Sequence, residues 1–254
     1  MLADNAGAGK SRLIPVANQE LNNNGVVVDF DILRAYHPNF KKVSAEHLEK
    51  THIILHPDVD KAKCRIMDYL KQNDYDVIYE GSLRNTQGFI DFSNDFLKEG
   101  YSVSLYVMAV PELESYGSTF TRYVDDLSKN NNPRWVEKVA HDESYEGVLK
   151  TVEEFEKQKI CSTTKVFTRG PIMPKEIYSN TVKQFPATVE AIQYGREYGK
   201  KQAIKDFWAK YKKVYTVLRN TKPELLKNLV DWEEMFKREY TDILTQKSEL
   251  TRSL

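Results

Sequence analysis

Short apolar runs that end in carboxylates alternate with longer stretches of helical apolar spacing over the first two thirds of this chain. The first run, Val26-Val27-Val28-Asp29-Phe30-Asp31, predicts a buried parallel strand that carries its acids to the carboxyl edge of a sheet. In an extended strand Asp29 and Asp31 project to one face. Residues 76–82 and 102–110 predict two more strands, and residues 165–168 a last one. The intervening stretches read as helices. Residues 12–24 close on Asn22-Asn23-Asn24-Gly25, and Pro15 in the first turn or two predicts an irregular start. Residues 33–40 predict a short helix and then a loop. Residues 58–72 carry Val59, Ala62, Ile66, Met67 and Leu70 at helical spacing, and residues 89–99 stop at Gly100. Residues 112–129 and 134–159 form two further helices, split by Asn130-Asn131-Asn132-Pro133. Strands and helices in this rhythm predict a three-layer α/β fold with a parallel sheet covered on both faces.

Beyond Arg169-Gly170-Pro171 the texture changes to charged helices with apolar seams. One seam is Ile204, Phe207, Tyr211, Val214 and Leu218; another is Leu225, Leu229, Trp232, Phe236, Tyr240 and Ile243. The expected organisation is an α/β domain over residues 1–170 and a helical C-terminal extension over 171–254. Lys200, Lys201, Lys205, Lys210, Lys212 and Lys213 are interleaved with Phe207, Trp208 and Tyr211, a pattern open to two readings: a nucleic-acid surface, or the solvated face of an amphipathic helix.

The candidate chemistry starts near the N-terminus. Gly7-Ala8-Gly9-Lys10-Ser11 reads as the second half of a phosphate-binding loop, in which small residues let backbone N–H groups turn toward phosphates. Lys10 would reach the outer phosphates and Ser11 would ligate Mg²⁺, with the dipole of a following helix adding to the attraction. The full pattern places glycine where this chain has Asp4, and only Met1-Leu2 precede the loop. A truncated first strand is therefore expected. Lys10, Asp31, Glu80 and Ser82 all fall at the predicted carboxyl ends of strands, where ligands bind in such folds.

Composition narrows the partners. Lys plus Arg and Asp plus Glu each number 37, so no global charge argues for nucleic acid or an acidic membrane. The charge is uneven: residues 171–254 hold 16 basic and 11 acidic side chains, leaving 21 and 26 for residues 1–170. Cys64 and Cys161 are far apart and lack metal-ligand spacing, which suits a reducing compartment. No apolar run of about 18 residues could span a bilayer, and the N-terminus lacks a signal-peptide pattern. A soluble cytoplasmic protein is expected.

An ordered series of segments resembles the zeta toxins of epsilon/zeta toxin–antitoxin systems. They are Gly7-Ala8-Gly9-Lys10-Ser11, Val27-Val28-Asp29-Phe30-Asp31 with Arg34 and His37-Pro38-Asn39-Phe40, Glu80-Gly81-Ser82-Leu83-Arg84, and Lys98-Glu99-Gly100-Tyr101. Tyr106-Val107-Met108-Ala109-Val110-Pro111, Ser115-Tyr116, Arg122-Tyr123 and His141-Asp142 complete it. The resemblance covers roughly the first 170 residues and implies a P-loop kinase. Zeta toxins use a nucleoside triphosphate, ATP or GTP, with Mg²⁺ to phosphorylate the 3′-hydroxyl of UDP-N-acetylglucosamine. The product blocks peptidoglycan synthesis, and an epsilon antitoxin obstructs nucleotide binding.

Carried over by position, the resemblance implies Asp31 as the base, with Lys10 and Arg122 in catalysis. Gly7, Ala8, Gly9, Lys10, Ser11 and Arg134 would hold the nucleotide, with Ser11 on the metal. Glu80, Ser82 and Arg84 would contact the sugar nucleotide. The family's second triphosphate arginine falls on Trp135, so Arg134 would substitute by a local shift. A family glutamate falls on Cys64 and a family threonine on Phe92, neither of which supplies the same group. A kinase of the same fold acting on another hydroxyl compound, or a binding remnant without turnover, are the alternatives.

Overall fold

The computed structural model describes residues 1–3, 5–129, 133–182 and 184–252. Among the described residues six strands form one sheet: β1 (Leu2–Ala3), β2 (Val26–Asp29), β3 (Val77–Gly81), β4 (Ser104–Met108), β5 (Thr163–Thr168) and β6 (Lys175–Ser179). Their order is β2-β3-β1-β4-β5-β6. The first five are parallel, and β6 pairs antiparallel to β5 with an irregularity between Val166 and Phe167. The helices are α1 (Ile14–Glu20), α2 (Phe30–Ala35), α3 (Phe40–Glu46), α4 (Thr51–Gln72) and α5 (Thr86–Lys98). They continue with α6 (Glu112–Ser128), α7 (Lys138–Lys157), α8 (Thr188–Thr221) and α9 (Leu229–Arg252).

The alternation of β4 explains the layering. Leu105, Val107 and Ala109 pack with α5, α7 and the start of α8 on one face of the sheet. Tyr106, Met108 and Val110 point the other way, into a cluster with Leu13 and the residues of α1. This is the expected three-layer α/β arrangement. The first strand is two residues long and lies between β3 and β4, with Leu2 opposite both Glu80 and Tyr106. Because the chain leaves β1 toward β2 on one side and later crosses to β4 on the other, the loop after β1 lies at the point where strand order reverses.

Several elements differ from the sequence expectation. Lys10–Leu13 is a 3-10 turn, and α1 begins only at Ile14 with Pro15 in its first positions, so the helix starts irregularly and ends earlier than 24. Strand β2 stops at Asp29 and Phe30 already opens α2, so the continued extension expected through Asp31 is not found. Helix α4 starts at Thr51 and runs through Pro57, with Leu55 and Val59 buried on either side of it. Residues 134–137 are not helical, and α7 begins at Lys138. The sheet continues past residue 170 through β6, whose half-exposed, charged start hid it in the sequence.

The C-terminal seams pack as expected over most of their length. Phe207, Val214 and Leu218 of α8 and Leu229, Trp232 and Phe236 of α9 are buried against Leu113, Tyr116, Phe120 and Val124 of α6. Tyr240 departs from its seam and is 46% exposed.

Candidate active site

The loop between β1 and the 3-10 turn is shaped by two glycines in the left-handed region, Gly7 (φ 79°) and Gly9 (φ 97°). A side chain at Gly7 would collide with the Ser115 carbonyl of α6. Lys10 Nζ donates back to the Asn5 carbonyl at 2.9 Å, and Ser11 Oγ donates to Glu80 Oε2 at 3.2 Å. Asn5 is buried, and its Nδ2 lies 2.9 Å from Nε2 of the buried His141. Ser115 Oγ lies 2.9 Å from the same nitrogen, and His141 Nδ1 faces Asp142 Oδ1 at 3.1 Å. A proton on Nδ1 leaves Nε2 to accept from Asn5. Burial lowers the His141 pKa to about 4 against the opposing pull of Asp142, so the ring is neutral at pH 7 and keeps that acceptor.

Above the loop opens a cleft of about 950 Å³. Gly7, Gly9, Lys10, Ser11, Glu80, Ser82, Arg84, Arg122 and Arg134 all line it. Ala8 does not: it is fully buried and its methyl group belongs to the core under α1. Asp31 is the second residue of α2, and both its side chain and the whole of Asp4 lie outside the described residues. Arg84 lines the cleft while paired with Glu143, both half-exposed.

Glu80 and Asp29 sit at the ends of β3 and β2 as direct register partners. Burial raises the pKa of Glu80 and the Asp29 charge raises it further, with Lys10 and the Ser11 hydroxyl opposing. Its Oε2 is bonded to Ser11, but its buried Oε1 has no hydrogen-bond partner. Burial pulls the pKa of Arg34, Arg122 and Arg134 below the usual arginine value, and Asp29 opposes the shift in all three. Arg122 Nε is likewise buried without a hydrogen-bond partner. Two buried polar atoms without hydrogen-bond partners in residues that line one cleft are costly to hold. The neighbouring side-chain oxygens of Ser11 and Glu80 are hard ligands of the type that suits a divalent cation such as Mg²⁺.

A family model described as Zeta toxin matches residues 1–182. The chain belongs to the zeta toxin family. It is 27% identical over 187 residues to a "Toxin zeta" of Enterococcus hirae, covering 71% of this chain and 62% of that protein. A "Toxin zeta" of Streptococcus pyogenes is 26% identical over 233 residues, covering 82% of this chain and 79% of that one. "Toxin PezT" of Streptococcus pneumoniae is 26% identical over 171 residues, 66% of this chain and 67% of that one. A chain from the solved PezAT chromosomal toxin–antitoxin system of S. pneumoniae superposes with a TM-score of 0.72 at 19% identity. That match covers 84% of this chain and 87% of that one, and it shows the same α/β fold.

In this zeta toxin chain the positions that depart from the family pattern resolve in space. Trp135 lines the cleft but packs its ring against Phe120 at 5.6 Å and Tyr123 at 5.2 Å, while its neighbour Arg134 also lines the cleft. Cys64 is exposed. Phe92 lines the cleft with its ring 4.7 Å from that of Tyr79. His37 Nε2 lies 3.4 Å from Asp58, joining the α2–α3 connection to α4, and is not among the lining residues.

Sequence reading overlooked one whole wall. His52, His56, Asp60 and Lys63 of α4 line the cleft. Their spacing of four, four and three is the signature of a single helix face, legible only once the helix is known to start before Pro57.

Proposed function

We propose that this chain is a kinase that transfers the γ-phosphoryl group of ATP or GTP to the 3′-hydroxyl of UDP-N-acetylglucosamine, thereby blocking peptidoglycan synthesis. The observation that carries the reading is the convergence of Lys10, Ser11, Glu80, Arg122 and Arg134 on one cleft. Phosphoryl transfer asks the protein mainly to position two oxygens in line and to offset charge on the transferred group.

The loop around Gly7 and Gly9 and the Lys10 ammonium hold the triphosphate. Ser11 and Glu80 would hold Mg²⁺, which would supply charge neutralisation there. Asp31 takes the proton from the attacking sugar hydroxyl. A bond forms from that oxygen to the γ-phosphorus, the bond to the β–γ bridging oxygen breaks, and the nucleoside diphosphate leaves. Arg122 and Arg134 offset the negative charge that spreads over the transferring group. Glu80, Ser82 and Arg84 contact the acceptor. An epsilon-type antitoxin that covers the nucleotide site is the proposed protein partner, and the cytoplasm the proposed compartment. Among the described residues no helix is long and apolar enough to cross a membrane.

Incubation with Mg-ATP or Mg-GTP and the sugar nucleotide tests the reading, with a phosphorylated sugar nucleotide expected by mass spectrometry. Absence of that product, where a zeta toxin control forms it, overturns the substrate assignment. A second reading, phosphorylation of a different small hydroxyl compound, is favoured by the aromatic pair of Phe92 and Tyr79 in the cleft wall. Nucleotide turnover with another acceptor, and none with the sugar nucleotide, would select it.

A further inference from the structure

Arg169 follows directly on β5 and reaches across to the phosphate loop. Its side chain is 23% exposed, and its partners are all protein groups. Nε donates to the Ala8 carbonyl at 3.2 Å and Nη2 donates to the Gly7 carbonyl. Nη1 donates to Glu114 Oε1 at 2.6 Å, and both Nη atoms lie 3.2 Å from Ser118 Oγ. Ser118 spends its own proton on the Glu114 carbonyl at 2.7 Å, so its oxygen is free to accept from the guanidinium.

We propose that Arg169 is a positioning residue for nucleotide binding, which ties the two carbonyls of the phosphate loop to helix α6. It thereby turns the loop amide of Gly9 toward the cleft and sets the loop at a fixed distance from Arg122.

The first half of the proposal follows from peptide planarity. The Ala8 carbonyl and the Gly9 N–H belong to one trans unit and point in opposite directions. Anchoring the carbonyl on Arg169 aims the N–H away from it, and Gly9 lines the cleft. The anchor matters because Gly7 and Gly9 have wide conformational freedom, and without external ties the loop would occupy other backbone states. The second half follows from helix geometry. Ser118 and Arg122 are one turn apart on α6, and both line the cleft. Fixing the loop to Ser118 fixes it relative to Arg122. The planar fork of arginine is required, since one group must serve two carbonyls, a carboxylate and a hydroxyl at once.

The proposal rests on the kinase reading, and nucleotide binding by itself distinguishes the two. Mg-ATP binding is measured by calorimetry for the wild-type chain, Arg169→Ala and Arg169→Lys, alongside binding of the sugar nucleotide and thermal melting. Loss of bonds to a charged group predicts Mg-ATP binding weakened about tenfold or more in Arg169→Ala, with sugar-nucleotide binding unchanged. Added ethylguanidinium should restore nucleotide binding to Arg169→Ala, whereas Arg169→Lys should recover little. A general structural defect would not respond to guanidinium and would not spare the acceptor. Should Arg169→Ala fail to fold, Arg169→Lys carries the test, and nucleotide affinity within about twofold of wild type overturns the clamp. Equal loss of both ligands, or no rescue by guanidinium, overturns it as well. A wild-type chain that binds no Mg-ATP overturns the kinase reading and this proposal together.

Discussion

Helix α6 divides two regions that treat polar groups in different ways. Toward the cleft it presents the Ser115 carbonyl against Gly7, then Ser118 and Arg122. That side keeps charges close together and leaves Glu80 Oε1 and Arg122 Nε without hydrogen-bond partners. On its other side α6 presents Tyr116, Phe120 and Val124 to α8 and α9. There Phe207 and Phe236 stack at 4.1 Å, and Trp232 lies so close to Gly117 that any side chain there would enter its ring. Even the indole proton of Trp232 is used, donated to the Leu113 carbonyl at 3.1 Å. Close packing covers one side of the helix, and the cleft opens on the other. The helical side holds buried polar atoms without hydrogen-bond partners as well, Tyr123 Oη, Arg196 Nε, Asn228 Nδ2 and Glu239 Oε2. The extension contributes apolar packing, while the cleft gathers charged side chains.

The contrast can be broken most forcefully at Trp232. Trp232→Ala removes the centre of the aromatic cluster and should cost about 3–5 kcal/mol in denaturant unfolding, while activity per folded molecule is unchanged. A drop in specific activity equal to that of a cleft variant would erase the division. Next in size is Lys10→Ala. Loss of one charge-stabilising donor predicts kcat/KM reduced about a hundredfold or more, with the melting temperature held. A fall in Tm comparable to that of Trp232→Ala would mean that the cleft also carries the fold.

The two regions should also titrate in opposite directions. His141 beneath the loop has its pKa lowered to about 4, so the unfolded chain takes up the proton first as pH falls from about 6.5. Stability is then lost on acidification across that window, by an amount on the order of 3 kcal/mol. Burial raises the pKa of Glu239 to about 7, with Glu112 and Glu197 adding to the shift and Lys200 and Arg238 opposing it. Its unfolded form ionises first, and stability on the order of 3 kcal/mol is lost as pH rises from about 4.5 to 7. Between pH 4.5 and 6.5 the slopes oppose each other. His141→Gln should leave stability falling with rising pH, and Glu239→Gln should leave it rising, as read from chemical denaturation at stepped pH. Parallel slopes in the two variants would refute the assignment.

The smallest expected effect is at the surface of the helical region. Lys213 pairs with Asp125, and both side chains are about half exposed, 51% and 41%. Solvent screening predicts that Lys213→Ala changes stability by less than about 0.5 kcal/mol. A larger loss would show that surface charge, and not the aromatic cluster, ties α8 to α6.

The alternating strands and helices and the acid-terminated apolar runs were enough to predict the three-layer fold, and the half-motif at Gly7 to Ser11 with the strand-end residues Glu80 and Ser82 to place the cleft. These features are local: periodicity reports which face of an element is buried, and glycine reports where the backbone must bend. Sequence could not show that β2 stops at Asp29, because a helix start and a strand continuation use the same apolar run. It could not show β6, whose exposed charged start pairs only because β5 offers an edge. It could not join His52, His56, Asp60 and Lys63 to the site, since Pro57 masks the helix that aligns them.

What the sequence alone determined, then, is the sheet with its covering helices and the residue types gathered at the strand ends. What only the tertiary structure decided is which groups meet there: the buried, unpartnered atoms of Glu80 and Arg122, the neutral His141 beneath Asn5, and the four bonded partners of Arg169. These contacts join residues up to 162 positions apart, and their strength depends on the burial that packing imposes. No local pattern encodes that burial, because it belongs to the assembled layers.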